Sequence, residues 1–317
     1  MSIVWDALTR IPTKAGLYER EIYFREGLAD AEEILGDRFG ELIRSTALLM
    51  LKPDGLLTGK LAPILDFLAD QRFTPVAAQH VEFTPVLWRE MWRYQLTSAT
   101  LDRLVVTGHV YATGPCLLLF VRDDAPSPIP AAVRLSGLKG SSDPDTRSPD
   151  SLRARLRLTN RIINHVHVAD EPADLLREIG LLLSPAERRR ILRAVADGSM
   201  PESDHDRLRA ELDREIDRLY TLDVEEPLAR LEPKVRASAA GDAASAETAA
   251  RVLAWTERIR QGRIVPWRAF CADVESLGID VTDWDLAVLG SVCVASDDPG
   301  TAKVIDNPEA GLWGRDG

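Results

Sequence analysis

Two histidines near the middle of the sequence have the residue type and spacing for metal binding or for group transfer. His165 and His167 lie in residues 161–168, whose alternating, β-branched pattern predicts a strand. Side chains two residues apart on a strand share a face, so both imidazoles and Asp170 are candidates for a metal site. A neutral imidazole is also a nucleophile near pH 7. A third alternative is an ordinary hydrogen-bonded histidine of the core.

A glycine-rich segment after the first predicted strand has some features of a phosphate-binding loop. Residues 55–61 read Gly-Leu-Leu-Thr-Gly-Lys-Leu. The segment is one residue too short for the pattern of such loops, and Leu61 stands where Ser or Thr would bind magnesium. We therefore do not expect a phosphate-binding loop at this position.

Five short segments carry a stronger signal together than any one of them alone. They are residues 52–55 (Lys-Pro-Asp-Gly), 140–144 (Gly-Ser-Ser-Asp-Pro), 149–153 (Pro-Asp-Ser-Leu-Arg), 164–170 (Asn-His-Val-His-Val-Ala-Asp) and 177–178 (Arg-Glu). In this order and spacing they resemble the nucleoside diphosphate kinases. That family has Lys-Pro-Asp-Gly, Gly-x-Thr-Asn/Asp-Pro, Pro-Gly-Thr-Ile-Arg-Gly and Asn-x-x-His-Gly-Ser-Asp, with a Glu eleven residues after the His. The resemblance covers residues 45–183.

The resemblance implies a ping-pong enzyme that works through a phosphorylated histidine. His167 would take the terminal phosphate of a nucleoside triphosphate and pass it to a nucleoside diphosphate. Glu178, eleven residues further on, would fix the tautomer of the ring by accepting the N–H of the nitrogen that does not attack. Because negative charge spreads over the oxygens of the transferred group, cations and donors must surround it.

Residue-by-residue correspondence with the family implies the contacts to the nucleotide. Lys52, also a catalytic candidate, Ser142 and Arg153 would bind the phosphates. Asn164 would bind the ribose 3′-hydroxyl, and Trp92 takes the position of the family's tyrosine beside the nucleotide. The implied cofactor is Mg²⁺, held mainly by the nucleotide phosphates and water, so no metal-ligating residues are predicted. The implied partners are nucleoside di- and triphosphates and further copies of the chain in a homo-oligomer.

Several positions depart from the family pattern. Gapless register puts Ser136 where the family has an arginine, so that Arg134 or Lys139 would have to substitute for it. Val168 and Ala169 replace the family's Gly-Ser, and one residue is inserted before the Asn-x-x-His motif. The phenylalanine that pairs with the family's tyrosine has no clear counterpart. These changes keep open a second interpretation, a catalytically diverged nucleotide-binding, regulatory or interaction module on the same fold.

Hydrophobic periodicity and turn residues predict the elements that hold these side chains. We predict two short helices within 14–43 and further helices at 60–73, 85–94 and 171–183. We predict a buried strand at 47–51 that ends in a tight turn at 53–55, an extended segment at 74–83, at least one more strand within 105–121, a polar loop at 123–149 and the strand at 161–168. This β-α-β-β-α-β order indicates an α+β fold. The predicted core is a ferredoxin-like antiparallel sheet with covering helices on one face.

The chain divides into three predicted regions. Residues 1–44 form a helical N-terminal extension, 45–183 the kinase-like domain, and 184–317 an all-α C-terminal region. In that last region, a capping box at Ser184 begins a helix that Gly198 ends. We predict further helices at 204–222, 251–261, 266–277 and 282–293, a small-residue linker at 237–250, and a loosely held tail from 296.

Composition limits the classes of partner. The 317 residues include 50 acidic and 39 basic ones, for a net charge of −11, and 45% are hydrophobic. This acidity argues against a general nucleic-acid binder but permits a compact basic pocket for a small polyanion. No run approaches the ~20 apolar residues of a membrane span, and the first residues lack a signal-peptide pattern, so we expect no membrane partner and a cytoplasmic location. Cys116, Cys271 and Cys293 are expected to be buried and unpaired.

Overall fold

The central element of the fold is a four-stranded antiparallel sheet. A computed structural model of the chain describes residues 5–125, 127–158, 160–217, 220–306 and 310–313. Within these residues the sheet has the order β2-β3-β1-β4. Its strands are β1 (Thr46–Leu51), β2 (Phe73–Val81), β3 (Cys116–Asp123) and β4 (Val166–Val168). The order and the antiparallel pairing confirm the predicted ferredoxin-like α+β fold.

Helices surround the sheet in the described part of the chain. Before the first strand lie α1 (Pro12–Tyr18), α2 (Ile22–Leu35) and α3 (Phe39–Ser45). Between and after the strands lie α4 (Pro53–Leu57), α5 (Leu61–Asp70), α6 (Pro85–Met91), α7 (Leu101–Ala112), α8 (Ala131–Lys139), α9 (Leu152–Arg155) and α10 (Pro172–Leu182). The remainder forms α11 (Pro185–Asp197), α12 (Glu202–Asp217), α13 (Glu225–Ser238), α14 (Ala243–Arg260), α15 (Trp267–Ser276) and α16 (Asp283–Ser291).

Both faces of the sheet are covered, and all residues of β1 are buried. Leu48 and Met50 belong to the core that contains α2, α6, α10 and α11, whereas Leu49 and Leu51 belong to the core that contains α5, α8, α9 and α12. The expectation of helices on one face is therefore wrong. A strand that is apolar at successive positions has no polar face to present to water, so it is stable only between two layers.

The segment 105–121 supplies β3, which confirms the prediction of at least one strand there, but its first half is helical. It contains the end of α7 and then β3. Val105 and Val106 favour strands by propensity, but Val106 and Val110 stand one helical turn apart and are both buried, on a helix that packs against α16. Packing of this helix face outweighs the propensity of the individual valines.

Two segments predicted as loops also contain helices. The polar stretch 123–149 includes α8, whose residues Ala131 and Leu135 are buried where the helix packs on β1 and β4. The small-residue stretch 237–250 holds the end of α13 and the start of α14, which Asp242 caps by accepting the backbone N–H of Ser245 at 2.8 Å. Alanine has the highest helix propensity of all residues, so its abundance there favours helix over linker.

Two predictions next to the candidate site change in detail. Residues 53–55 are the first turn of α4, with Pro53 at the start of the helix, rather than a tight turn. The strand predicted at 161–168 is confined to β4, because residues before it leave the extended conformation and His165 has φ 56°. The two histidines therefore do not lie on one regular strand.

The C-terminal region begins as predicted. Ser184 and Glu187 form the capping box of α11, and Gly198 ends that helix in the left-handed conformation with φ 67°. The helix predicted at 204–222 is α12 as far as residue 217, and residues 218 and 219 lie outside the described residues. Helices α15 and α16 confirm the last two predicted helices.

The tail packs against the rest of the molecule where it is described, so the expectation of a loosely held tail is wrong there. Ile305 and Trp313 are 1% and 5% exposed. The backbone N–H of Val304 donates to the carbonyl of Tyr94 at 2.9 Å, and the indole N–H of Trp313 donates to Glu171 at 3.0 Å. Two buried apolar side chains hold the tail although it has no periodic pattern.

The cysteines differ slightly from expectation. All three are unpaired, and Cys116 and Cys293 are buried as predicted, whereas Cys271 is half-buried.

No described helix combines the length and the apolar character that crossing a membrane requires.

The outer edge of β2 is covered by the chain itself. The backbone N–H of Ala78 donates to Asp204 at 2.9 Å, and the carbonyl of Ala78 accepts from Arg207 at 2.7 Å. Both side chains come from α12, which packs along this strand. Unpaired backbone groups at a sheet edge are a template for pairing with another strand, so these contacts protect the edge.

Buried ion pairs join the residues before the sheet to α10. Lys14 lies 2.8 Å from Glu171 and 2.6 Å from Asp174, and Arg177 lies 2.7 Å from Glu21. All five side chains are at most 10% exposed. Although burial opposes its charge, the two carboxylates hold the pKa of the Lys14 ammonium above its ordinary value. Removal of one partner would leave a buried charge without compensation.

Helices α2 and α10 also approach each other with no side chain between them. A Cβ atom on Gly27 would overlap the carbonyl oxygen of Leu176, and a Cβ atom on Gly180 would overlap the carbonyl oxygen of Tyr23. Neither glycine has a left-handed φ, so it is the close approach that requires a residue without a side chain.

Gly27→Ala is expected to lower the free energy of unfolding by about 2–3 kcal/mol, because a methyl group in a closed backbone contact must push the two helices apart. Urea denaturation followed by circular dichroism measures this change. Gly16→Ala in α1 is the control, since its Cβ would meet no atom within 4 Å. It is expected to stabilise the protein by up to about 1 kcal/mol. Equal effects of the two substitutions would contradict the close approach.

Candidate active site

The imidazole of His167 is held in one orientation by a carboxylate behind it. His167 is the middle residue of β4, opposite Met50 of β1. Its Nε2 lies 2.8 Å from Oε1 of Glu178 on α10, and the ring of Trp92 packs nearly perpendicular to the imidazole, with 5.4 Å between centroids. Among the residues that the structure describes, Nδ1 forms no hydrogen bond. The contact with Glu178 therefore leaves Nδ1 as the nitrogen available for chemistry.

Glu178 is a buried carboxyl with only half of its hydrogen-bonding capacity used. Burial raises its pKa above the ordinary value of a glutamate, while the neighbouring His167 acts in the opposite direction. Its second oxygen, Oε2, is buried and has no hydrogen-bond partner among the described residues. A carboxylate in this position costs stability, and what it provides is a fixed acceptor for the imidazole N–H.

A cavity of about 180 Å³ lies beside His167 and is lined by the predicted nucleotide-binding residues. Its lining includes Lys52, Trp92, Ser142, Arg153 and Asn164. These residues come from the ends of β1 and α6, the loop after α8, the helix α9 and the turn before β4. The fold thus brings together side chains that are more than a hundred positions apart in the sequence, with Glu178 behind the histidine rather than in the cavity.

Lys52 is a buried ammonium beside the buried carboxylate of Asp54. Its Nζ lies 3.5 Å from Asp54 and donates to the carbonyl of Ile162 at 3.3 Å. Burial lowers the pKa of Lys52, because the charged form has lost most of its contact with water. Burial also opposes the charge of Asp54, but Lys52 and His165 hold its pKa below the usual range.

Arg153 links the loop after α8 to β4. Its guanidinium donates to the carbonyls of Gly140 and Val166, each at 2.9 Å, and burial lowers its pKa to about 10. Its Nε is buried without a partner among the described residues. Part of this cation is therefore committed to the protein, and part remains for a ligand in the cavity.

The structure contradicts the metal site considered for the two histidines and Asp170. His165 is 1% exposed and lies 3.1 Å from Asp54, whereas His167 contacts a different carboxylate, Glu178, at 2.8 Å. The left-handed backbone at His165 breaks the two-residue periodicity on which that hypothesis rested. In the described part of the chain, no three His, Cys, Asp or Glu side chains are grouped in a way that could hold a metal ion.

Lys139, and not Arg134, lies at the candidate site. A second cavity of about 320 Å³ adjoins the first, shares His167 with it, and is lined also by Ser136, Lys139 and Asp170. Lys139 lies 3.0 Å from Asp170, whose carboxylate also accepts from Ser136. Arg134 is committed elsewhere, to Asp123 at 2.9 Å. A lysine thus lies near the position where the family has an arginine.

Sequence reasoning missed several residues of the cavity. Arg103, Thr107 and Tyr111 line it from one face of α7. Residues four apart share a face of a helix, so their spacing would have indicated a common surface if the segment had been predicted as helical. Asp297 and Lys303 line it from the tail. Nothing in the local sequence indicates those two, because only tertiary packing brings the tail to this place.

Comparisons with known proteins agree with the family resemblance. The family model described as "Nucleoside diphosphate kinase" matches residues 45–188. These residues form a domain of that family, and they include the four strands and all the residues predicted to act in the site. Among curated proteins, no match to the sequence was found.

Three solved structures that are similar to the chain each cover 45% of it. A nucleoside diphosphate kinase of Aquifex aeolicus is 23% identical over 45% of this chain and 97% of its own, with a TM-score of 0.37. An NDP kinase from Pyrobaculum aerophilum is 17% identical with the same coverage and TM-score. A nucleoside diphosphate kinase family protein from Babesia bovis is 19% identical over 45% of this chain and 90% of its own, again with a TM-score of 0.37.

Glu178→Gln is expected to make the protein relatively more stable as the pH rises. The raised pKa means that the fold favours protonated Glu178, so this contribution is present in acid and is lost as the pH rises through the folded-state pKa. Glutamine does not ionise. The difference in melting temperature, variant minus wild type, should therefore increase between about pH 4 and about pH 7.

Differential scanning calorimetry across this pH range measures the effect. Glu247→Gln, which neutralises a carboxylate that is 83% exposed, is the control and should give a much smaller trend. A difference that stays constant or falls with rising pH would contradict the burial of an ionisable Glu178 behind the histidine.

Proposed function

We propose that this chain, whose residues 45–188 form a nucleoside diphosphate kinase family domain, transfers the terminal phosphoryl group of a nucleoside triphosphate to a nucleoside diphosphate through His167. The observation that carries the proposal is the hydrogen bond from the imidazole to Glu178, which leaves Nδ1 beside a cavity that also contains Lys52 and Arg153. A fixed imidazole with an available lone pair, next to buried cations, is suited to attack on a phosphate.

In the first half-reaction, the lone pair of Nδ1 attacks the γ-phosphorus. The bond between this phosphorus and the bridging oxygen breaks, and the electron pair leaves with the nucleoside diphosphate. The proton on Nε2 stays in the hydrogen bond to Glu178, which stabilises the positive charge that develops on the ring. No proton has to leave the site, so the step needs no separate base.

In the second half-reaction, a terminal oxygen of another nucleoside diphosphate attacks the phosphorus on Nδ1. The phosphorus–nitrogen bond breaks, and the electron pair returns to the ring, which is again neutral. Because attack and departure use the same nitrogen and the same cavity, the reaction runs in both directions over similar barriers. The base of the acceptor takes no part in bond making.

The cations of the cavity are proposed to stabilise the negative charge of the transferred phosphoryl group. Lys52 and Arg153 would bind the phosphate oxygens, as the corresponding residues of the family do, and Ser142 would donate a hydrogen bond from its hydroxyl group. Buried cations act more strongly on a phosphate than exposed ones, because little water screens them. Asn164 is proposed to bind the 3′-hydroxyl, and Trp92 to contact the nucleotide beside the histidine.

Magnesium fits the proposal as part of the nucleotide substrate. The carboxylates that line the two cavities, Asp170 and Asp297, are both engaged by cations of the protein, Lys139 and Arg103 among them. The donor set therefore suits a magnesium ion held by nucleotide phosphates and water. When bound, the ion would neutralise charge on the β- and γ-phosphates.

A second candidate function is nucleotide binding without turnover. It is favoured by the contacts of Arg153, whose two terminal nitrogens already donate to carbonyls of the protein. Such a module would use the bound nucleotide to fix the helical regions around the domain. It would bind nucleotides and be stabilised by them, but it would not exchange phosphate.

Members of the family often form oligomers, and we propose a homo-oligomer for this chain as well. Because α12 covers the edge of β2, subunits would have to meet through another surface. We further propose that the protein works in the cytoplasm on free nucleotides and without nucleic-acid or membrane partners.

Incubation with ATP labelled at the γ-phosphate, together with Mg²⁺, is expected to leave acid-labile phosphate on the protein and none on His167→Ala. The nucleophile is absent in the variant, and no other group replaces it. His205→Ala removes an exposed imidazole outside the site and should keep full labelling. Labelling that persists in His167→Ala, or is absent from the wild type, would sink the assignment of the nucleophile.

A panel of nucleoside diphosphates separates the two candidate functions. An active kinase is expected to pass the label from ATP to several diphosphates, with the parallel double-reciprocal plots of a ping-pong reaction. A binding module would give no labelled product, although ligand at a hundredfold excess over Kd would raise its stability by about 2.7 kcal/mol. Stabilisation without transfer would decide for the second function.

A further inference from the structure

The tail reaches the cavity along a defined path. Residues 295–304 run beside the segment between α6 and α7, where Asp297 forms an isolated bridge with Ala99. The backbone N–H of Asp298 donates to the carbonyl of Ser98 at 2.7 Å, and the hydroxyl of Thr100 donates to the carbonyl of Ala295 at 2.6 Å. These backbone contacts place the side chain of Asp297 at the lining of the cavity.

The carboxylate of Asp297 is shared by two arginines of the same cavity. One oxygen lies 2.8 Å from Arg103 and the other 3.2 Å from Arg161. Both arginines line the cavity together with His167 and Lys52. Asp297 lies far beyond the family domain, whereas Arg103 and Arg161 both lie within it. The tail therefore supplies a carboxylate to two arginines of the domain.

A nucleotide would compete for these arginines. Guanidinium groups bind phosphate oxygens with paired, charge-assisted hydrogen bonds, and a nucleotide presents several such oxygens. The existing pairs are weak competitors, because Arg103, Arg161 and Asp297 are 27%, 44% and 39% exposed, and half-exposed ion pairs contribute little. The carboxylate also repels any phosphate that enters beside it.

We propose that Asp297 is a built-in competitor of the substrate: its carboxylate occupies Arg103 and Arg161 in the free protein, and nucleotide phosphates displace it. The inference rests on the proposed function, since it requires that the cavity binds nucleotides. It makes the tail a regulator of nucleotide affinity. Any event that moves the Asp297 carboxylate away from the two guanidinium groups would raise that affinity.

Asp297→Asn tests the competition. The variant keeps the size of the side chain but removes the negative charge that holds both guanidinium groups, so Mg²⁺·ADP should bind about fivefold more tightly in calorimetry, a gain in the range of exposed ion pairs. Steady-state assays should give a correspondingly lower KM with kcat within about twofold of wild type, because the competitor acts on binding and not on the transfer step. Asp297→Ala should change Kd in the same direction.

Asp298→Asn is the matched control. It removes the same charge one residue away, where the side chain is exposed and only the backbone is bonded. Its Kd should equal that of the wild type. Tighter binding by both variants would mean a general charge effect and would overturn the inference, as would weaker binding by Asp297→Asn, which would make Asp297 an organiser of the arginines.

The pattern of results distinguishes this inference from the proposed function. If the wild type binds and Asp297→Asn binds no better than Asp298→Asn, the competition is wrong and the proposed function stands. If the wild type fails to bind but Asp297→Asn binds, the competition is stronger than proposed. If none of the proteins binds any nucleotide, both proposals fall together.

Discussion

The hydrogen bond between His167 and Glu178 is the constraint on which the site depends. It joins the last strand of the sheet to the helix behind it, and it fixes both the tautomer and the direction of the ring. β4 is only three residues long and pairs with β1 alone, so the strand by itself gives the ring little support. Glu178 is a buried carboxyl with one unpartnered oxygen, and burial works against its charge. The position of α10 must therefore be held by other parts of the molecule.

Residues outside the family domain provide much of that support. The helix α2 lies so close to α10 that only glycine fits at Gly27 and Gly180. Lys14 and Glu21 add buried ion pairs to the same helix, and Trp313 of the tail donates a hydrogen bond to Glu171 near its first turn. Buried charges of this kind tolerate little displacement, since a lost partner leaves an uncompensated charge. The N-terminal residues are thus a structural part of the candidate site, although none of those that the structure describes lines the cavity.

The cavity gathers positive charge in a chain whose net charge is −11. Lys52 and Arg153 are buried, and burial lowers the pKa of each. In the free protein their charge is balanced locally by Asp54 and by backbone carbonyls. The charges of Arg103 and Arg161 are balanced by the carboxylate of Asp297 in the tail. Every such internal partner lowers the cost of holding cations together without a ligand, and each one is also a group that a phosphate has to replace.

The sequence by itself indicated the sheet, the imidazole of His167 and the carboxylate of Glu178 that contacts it. The apolar run of β1 and the eleven-residue spacing from His167 to Glu178 are local signals that the folded structure retains. Tertiary structure decided the rest. It made α7 a helix against the propensity of its valines, turned His165 away towards Asp54, and brought Asp297 to the arginines. These outcomes depend on contacts between distant segments, and no local pattern encodes such contacts, because the free energy that selects them exists only once the packed neighbours are in place.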